Sequence, residues 1–215
     1  MCGRIARTSP RAAIVREFGI THVADVDFSP RYNLAPSQML EAIIRRDDEI
    51  RLGSMRWGLS CGEKRPMPIN ARAETVQSNP AFRESFARRR CLVIADGFYE
   101  WQQREGRKIP HLIRLRSHEP FALAGIWRMH EADGRRIPTC AILTCQPNAT
   151  MAAIHDRMPV ILPREARDLW LDREAGPGNL QDLLVPCLDS LLELYPVSSL
   201  VNSPRNDVAE CLAPA

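Results

Sequence analysis

Cys2 is the residue whose position alone suggests chemistry. A small side chain at position 2 permits removal of the initiator Met1, and the product then begins with cysteine. A chain-terminal α-amine has a pKa of about 7.7–8.0, so an appreciable part of it is neutral at pH 7. An amine and a thiol on adjacent carbons can act in turn. The amine condenses with an aldehyde to an imine, the thiol closes a five-membered thiazolidine, and proximity favours that second step. Terminal nucleophiles assisted by the chain's own amine are a known enzymatic solution. A position-2 cysteine with no chemical role is the ordinary alternative.

Three further segments hold candidate groups. In PINARAET (68–75), Asn70 and Arg72 alternate with Ala71 and Ala73, so both polar side chains share one face if the segment is extended. Such a pair suits backbone or phosphate contacts, and also suits an edge strand with surface polars. In ADGFYEWQ (95–102), Glu100 stands between Tyr99 and Trp101. A carboxylate among aromatics is a candidate for a raised pKa and acid–base work; a strand glutamate facing solvent is the alternative. In IHDRMPVIL (154–162), His155 and Arg157 precede a proline and an apolar strand, which places them on a loop at a strand mouth. Histidine can shuttle protons near neutral pH, or can simply be a satisfied loop residue.

The elements that must position these groups read as short strands and helices. Ser9 and Pro10 open a helix through Phe18, with Ser9 as N-cap and Pro10 at the first position. Residues 39–46 and 49–57 read as a hairpin turning at Asp47 and Asp48. Asn79 and Pro80 start a helix carrying the Phe82 and Phe86 pair, and it ends at Arg88–Arg90. Strand-like runs with turns at Glu105–Gly106 and Asp133–Gly134 then suggest an antiparallel meander from 91 to 145. Residues 147–154 read as a helical turn, 158–162 as a strand, and 163–171 as a helix starting at Pro163. Strands in the middle flanked by helices make the class α+β, with an antiparallel, barrel-like β core.

At 215 residues, with no Gly/Ser linker and no repeat, the chain is expected to form one domain. No run approaches the roughly 18 apolar residues of a membrane span, and MCGRIARTSPR has no apolar stretch to act as a secretory signal. The expected compartment is therefore cytoplasmic. Seven cysteines, an odd number without any C-x-x-C, argue against a disulfide framework or a zinc knuckle. Cys140 and Cys145, five apart in a strand, face opposite ways and make a poor ligand pair. Residues 1–160 carry 25 Lys+Arg against 17 Asp+Glu, whereas 161–215 carry 4 against 9, so basic charge is concentrated where the candidate groups lie. Of the 29 basic residues all but Lys64 and Lys108 are arginine, the better fork for phosphate. Arginine codons favoured by a GC-rich genome are the plain reading of most of that ratio, and a nucleic-acid partner is the reading of some of the lopsided placement.

MCGR, RYNLAPSQ (31–38), RWGL (56–59), NARAET, DGFYEW and HDRMPVIL occur in that order, and together they resemble the SOS response-associated peptidase family. The resemblance spans roughly residues 1–205. It implies an abasic-site processing protein of the DNA-damage response that links covalently to abasic sites in single-stranded DNA. Cys2 would be the nucleophile, Asn70 would hold the freed α-amine, Glu100 would shuttle protons, and His155 would protonate the opened sugar or assist reversal. Arg72 and Arg157 would hold flanking phosphates, Gly3 and Arg4 would line the pocket, and Trp57 and Trp101 would stack on bases. It implies neither metal nor organic cofactor, and a monomer acting on DNA, nucleoid-associated if bacterial. Self-processing and lyase activity are further implications. A cysteine peptidase acting on other proteins, or a non-catalytic single-strand-binding module, are the competing functions. The chain departs from the family pattern at Ile5, usually aromatic, in a shortened 60–67 loop whose missing wall Met67 could rebuild, and in the tail NSPRNDVAE.

Overall fold

The computed structural model describes residues 2–62, 66–132 and 134–215. Removal of Met1, the centre of the 60–67 loop with Lys64, and Asp133 of the expected turn lie outside the described residues. In chain order the strands are β1 (Ile5–Arg7), β2 (His22–Val23), β3 (Arg31–Leu34), β4 (Met39–Arg46), β5 (Glu49–Trp57), β6 (Asn70–Arg72) and β7 (Arg90–Ala95). They continue with β8 (Gly97–Arg104), β9 (Arg107–Leu115), β10 (Phe121–Ala132), β11 (Arg135–Cys145), β12 (Met158–Pro159), β13 (Ile161–Leu162) and β14 (Leu192–Pro196). The helices are α1 (Arg11–Phe18), α2 (Arg83–Arg88), α3 (Ala149–Ala152), α4 (Arg164–Leu171) and α5 (Pro177–Asp182).

Strands β11, β10, β7, β4 and β5 are antiparallel neighbours in that order. A parallel pairing of β5 with β11, Arg56 beside Thr139 and Trp57 beside Cys140, closes them into a five-stranded barrel. The expected α+β class with a barrel-like core is what the chain adopts, with a mixed rather than wholly antiparallel barrel. Burial explains the centre of the wall. Every residue of β7 is buried, the pattern of a strand covered on both faces. The β4–β5 hairpin has the expected bounds, because Asp47 takes the left-handed backbone (φ +56°) that a tight turn needs.

The second sheet runs β14–β9–β8–β1–β3, all antiparallel. The chain changes sheets at Asp96, between β7 of the barrel and β8 of this sheet. The expected meander is therefore broken twice: β7 and β8 do not pair, and neither do β9 and β10. Tertiary bonds hold the crossing. The Asp96 carboxylate accepts from the Thr8 amide (2.5 Å), the Ser9 amide (2.8 Å) and the Ser9 hydroxyl. Ser9 is consequently not the N-cap of α1; Pro10 occupies that place with no side-chain cap. Gly97 sits in a crowded place, since a Cβ there would lie 2.8 Å from Leu112 Cδ1 and 3.2 Å from Ile113 O.

The segment after His155 enters the barrel wall as a wedge. β12 pairs with the end of β11, β13 pairs with the start of β10, and Val160 bridges them. Its amide donates to Leu143 O (2.9 Å), and its carbonyl accepts from the Ala124 amide (2.9 Å). The helices seal the barrel's outside. Trp170 of α4 is fully buried, tilts 58° against Phe86 of α2, and donates from Nε1 to Cys91 O (3.0 Å). Arg90 ties both helices to the wall. Its guanidinium donates to Phe86 O (2.8 Å) and Ala87 O (2.6 Å) at the end of α2, and to Trp170 O (2.7 Å) and Asp172 O at the end of α4. A cation there satisfies orphan carbonyls and opposes the negative end of each helix dipole. Among the described residues no helix is long and apolar enough to cross a membrane.

Candidate functional site

Glu100 lies in the middle of β8 and is 3% exposed. Burial pushes its carboxyl above the ordinary glutamate value, because low dielectric penalises the charged form; the nearby His155 opposes that shift. His155 Nε2 is 4.0 Å from Glu100 Oε2. On the other side of the ring, Nδ1 is 3.0 Å from the Arg157 amide and 2.8 Å from Asp156 Oδ1. One nitrogen cannot serve both. The amide can only donate, whereas the Asp156 side chain is exposed and can turn to water. We therefore assign Nδ1 as the acceptor, which puts the proton on Nε2, toward Glu100.

The chain's start reaches this pair through sheet register. Ile5 opposes Phe98, and Tyr99 N donates to Arg4 O (2.9 Å). Residues ahead of β1 thus run back along β8 toward Glu100. Cys2 is fully buried there. Burial, then the Glu100 carboxylate, holds its thiol far above the ordinary cysteine range. The sulfur is kept as a thiol, not a thiolate. Around Glu100, Trp101, Lys108, His155, Asp156 and Asn202 lies a cavity of about 640 Å³.

Asn70 comes from the barrel side. β6 lies parallel to β11, with Asn70 beside Ile142 and Arg72 beside Thr144. Asn70 Nδ2 makes a long contact to Ile142 O (3.4 Å), while its Oδ1 is buried with no hydrogen-bond partner among the described residues. An amide oxygen so placed is an acceptor for a donor brought in by chemistry.

Arg157 links the two halves. Its guanidinium forks onto Glu74 (2.6 and 2.9 Å) and donates to Thr144 O (2.5 Å). The side chain is 9% exposed, so the structure does not present it to a phosphate; instead it joins the His155 loop to the segment carrying Asn70 and Arg72. The fork in turn lowers the Glu74 carboxyl below its ordinary range. Sequence reasoning missed Glu74. A glutamate 83 positions from its arginine carries no local signal.

The other expected contacts divide. Trp101 is half-buried, its Nε1 donating to Asn202 Oδ1 (2.7 Å), and Arg4 lies over its ring at 5.7 Å. Arg4 also donates to Asn33 Oδ1 (2.7 Å) and Val201 O (2.6 Å), so it braces Trp101 while lying half-buried itself. Gly3 is partly exposed and Arg72 is exposed. Trp57 is a correction: it is 1% exposed, donates to Ile69 O (3.0 Å), and has no face for a base. Its parallel pairing at the barrel seam draws it into the core.

The raised Glu100 pKa has a measurable consequence. A carboxyl whose folded-state pKa exceeds the unfolded 4.5 binds its proton more tightly when folded. Stability therefore falls as pH rises from 4.5 through the folded value, then levels. Glu100→Gln cannot ionise. Urea midpoints across a pH series are expected to show wild type losing ground to Glu100→Gln over that interval. Parallel curves for the two proteins would show that folding does not raise the Glu100 pKa.

A closed barrel joined to a sheet that carries a buried second-position cysteine toward a Glu–His pair defines one class of protein. The chain belongs to the SOS response associated peptidase (SRAP) family, whose model it matches over residues 1–204. It is 43% identical over 226 residues to the abasic site processing protein YoaM of Bacillus subtilis (strain 168), with 99% of this chain and 97% of that protein covered. It is 41% identical over 224 residues to YoqW of the same organism, also called an abasic site processing protein, with 99% of each covered. A crystal structure of a protein from Bacteroides thetaiotaomicron superposes with a TM-score of 0.88 at 25% identity, covering 100% of both chains.

Proposed function

We propose that this protein acts in the DNA-damage response by sealing abasic sites in single-stranded DNA as a thiazolidine on Cys2. The observation that carries the reading is Glu100: buried, inclined to hold a proton, and close enough to both Cys2 and His155 to shift or be shifted by them. The names of the relatives, at over 40% identity along nearly the whole chain, support the substrate.

The steps follow from the residues. Met1 leaves first, because a Cys2 nitrogen inside a peptide bond is not nucleophilic. The freed amine, held by Asn70 Oδ1, attacks C1′ of the ring-opened deoxyribose. The new carbinolamine loses its hydroxyl as water with a proton from Glu100, and the resulting iminium returns its N–H proton to the Glu100 carboxylate, leaving an imine beside a protonated Glu100. The Cys2 sulfur then bonds to the imine carbon as its proton passes, through Glu100, to the nitrogen. One water leaves and nothing is oxidised or reduced. A thiol kept protonated by burial makes the amine the first nucleophile and the sulfur the second. Ring closure removes the imine that would otherwise acidify the adjacent C2′ proton and cleave the strand, so lyase activity is secondary. His155, with its proton on Nε2, serves the sugar oxygen during opening and reversal.

Intact-mass measurement tests this directly. Protein lacking Met1, mixed with an oligonucleotide bearing one abasic site, is expected to gain the mass of the DNA less one water and to keep it through denaturation. An undamaged oligonucleotide is expected to add nothing. Protein shown to lack Met1 that leaves the abasic oligonucleotide unmodified would overturn the reading.

A further inference from the structure

Beyond the cavity, β8 and β9 continue as a two-stranded ribbon. Trp101 opposes Pro110, Gln103 opposes Lys108, and Arg104 opposes Arg107. The turn is tight, with Glu105 at φ +50° and Gly106 at φ +76°. Side chains alternate along each strand, and directly opposed residues share a face. Gln103 and Lys108 thus stand on the face that carries Trp101, and both line the cavity with it. The ribbon is anchored beside the site, since Gln102 Nε2 donates to Ala153 O (2.9 Å) just ahead of His155.

Arg104, Arg107 and Lys108 are exposed at the tip, and Glu105 is the acidic residue among them. None of the three cations forms a salt bridge among the described residues. Four residues of strand from Glu100 to Arg104 span about 13 Å, farther than one nucleotide. Meanwhile two arginines expected to meet phosphates or line the pocket are engaged inside the protein: Arg157 with Glu74, and Arg4 with Asn33 and Val201. Lys108 and Glu100 line the same cavity, so a polyanion seated at Glu100 has Lys108 on the cavity wall beside it.

We propose that the ribbon tip is a phosphate clamp for the unpaired strand on one side of the lesion. Lys108 and Gln103 meet the strand on the Trp101 face, while Arg104 and Arg107, which the same alternation puts on the Glu100 face, reach around the exposed tip to supply the remaining charge. This rests on the reading of the site as an abasic-DNA site, but binding can be measured without the chemistry. The test uses full-length Cys2→Ala protein, which cannot close the ring, and fluorescence anisotropy with a labelled single-stranded oligonucleotide carrying one tetrahydrofuran abasic analogue, which has no aldehyde for the remaining amine to attack. Adding Arg104→Ala, Arg107→Ala and Lys108→Ala together is expected to weaken binding about 10-fold or more at low salt. It should also make the plot of log affinity against log salt shallower by about 2, the slope of three single-strand phosphate contacts. Glu105→Asn removes the opposing charge at a backbone position asparagine tolerates, and is expected to tighten binding. Oligonucleotides extended on only one side of the lesion should show the deficit on one side and not the other. A triple variant that keeps the parent's affinity and salt slope, with unchanged thermal stability, would overturn the clamp. So would a deficit equal on both sides. Failure of the covalent reaction in wild-type protein, with the binding difference intact, would sink the thiazolidine reading and leave the clamp standing.

Discussion

Replacing Cys2 by alanine is expected to remove the denaturation-resistant DNA adduct, a loss of about 100-fold or more, because the second bond is the one that makes the product durable. Cys2→Ala still begins with an amine, so it can still form an imine in the same pocket. That imine reverts on denaturation unless it is first reduced. Borohydride added during the reaction is therefore expected to trap Cys2→Ala, and to matter little for wild type, whose nitrogen is already in a saturated ring. Cys2→Ser retains an oxygen of lower nucleophilicity and should give a weaker, reversible product. Because the imine persists in these variants, strand cleavage at the abasic site should rise relative to wild type. Three gel measurements read the set: adduct after heating, adduct after reduction, and cleaved oligonucleotide. A Cys2→Ala adduct as stable as that of wild type without reductant would exclude the ring.

The largest effect on folding is expected at Glu41. Arg7 is fully buried on β1, and its guanidinium donates to Glu41 Oε1 (2.7 Å), Ser29 O (2.7 Å) and Phe28 O (3.2 Å). Glu41 lies on β4 and is 6% exposed, so this ion pair joins the second sheet to the barrel away from water. Glu41→Ala leaves an uncompensated buried charge, at a cost of about 3–5 kcal/mol. In a protein of this size each kcal/mol lowers Tm by about 2–4 °C, so a fall of roughly 6–20 °C is expected. Arg7→Met alone should be similarly damaging, since it strands Glu41 and the 28–29 carbonyls. The double variant Arg7→Met/Glu41→Leu should cost less than the two single changes added together, because the charges leave together. Strict additivity in denaturant melts, or a single-variant cost below about 1 kcal/mol, would show that the pair is not coupled. β1 also leads directly to Cys2, so slower adduct formation in Glu41→Ala near its melting range would follow from the same weakness.

Much of the local structure was legible from side-chain pattern alone. The β4–β5 hairpin, the turn at Glu105–Gly106, α3, the strand after His155 and the helix after Pro163 all follow from alternation, turn chemistry and proline, which act over a few residues. The proposed role of Cys2, and the candidacy of Glu100 between two aromatics, rest likewise on residue type and position. Partner choice was not legible in this way. The parallel seam at Trp57 and Cys140, the change of sheet at Asp96, the use of Ser9 by Asp96 rather than by α1, and the fork of Arg157 on Glu74 join residues dozens of positions apart. Their free energy arises only when the barrel closes and water is excluded, and no short stretch of chain encodes that. The same event carried Trp57 into the core, left Trp101 with a partly open ring, and buried Glu100 deeply enough to raise its carboxyl above the ordinary glutamate value. Residue identity therefore determined which reactions this chain can attempt, while tertiary packing decided which of those residues meet, because burial and long-range pairing are properties of the assembled fold.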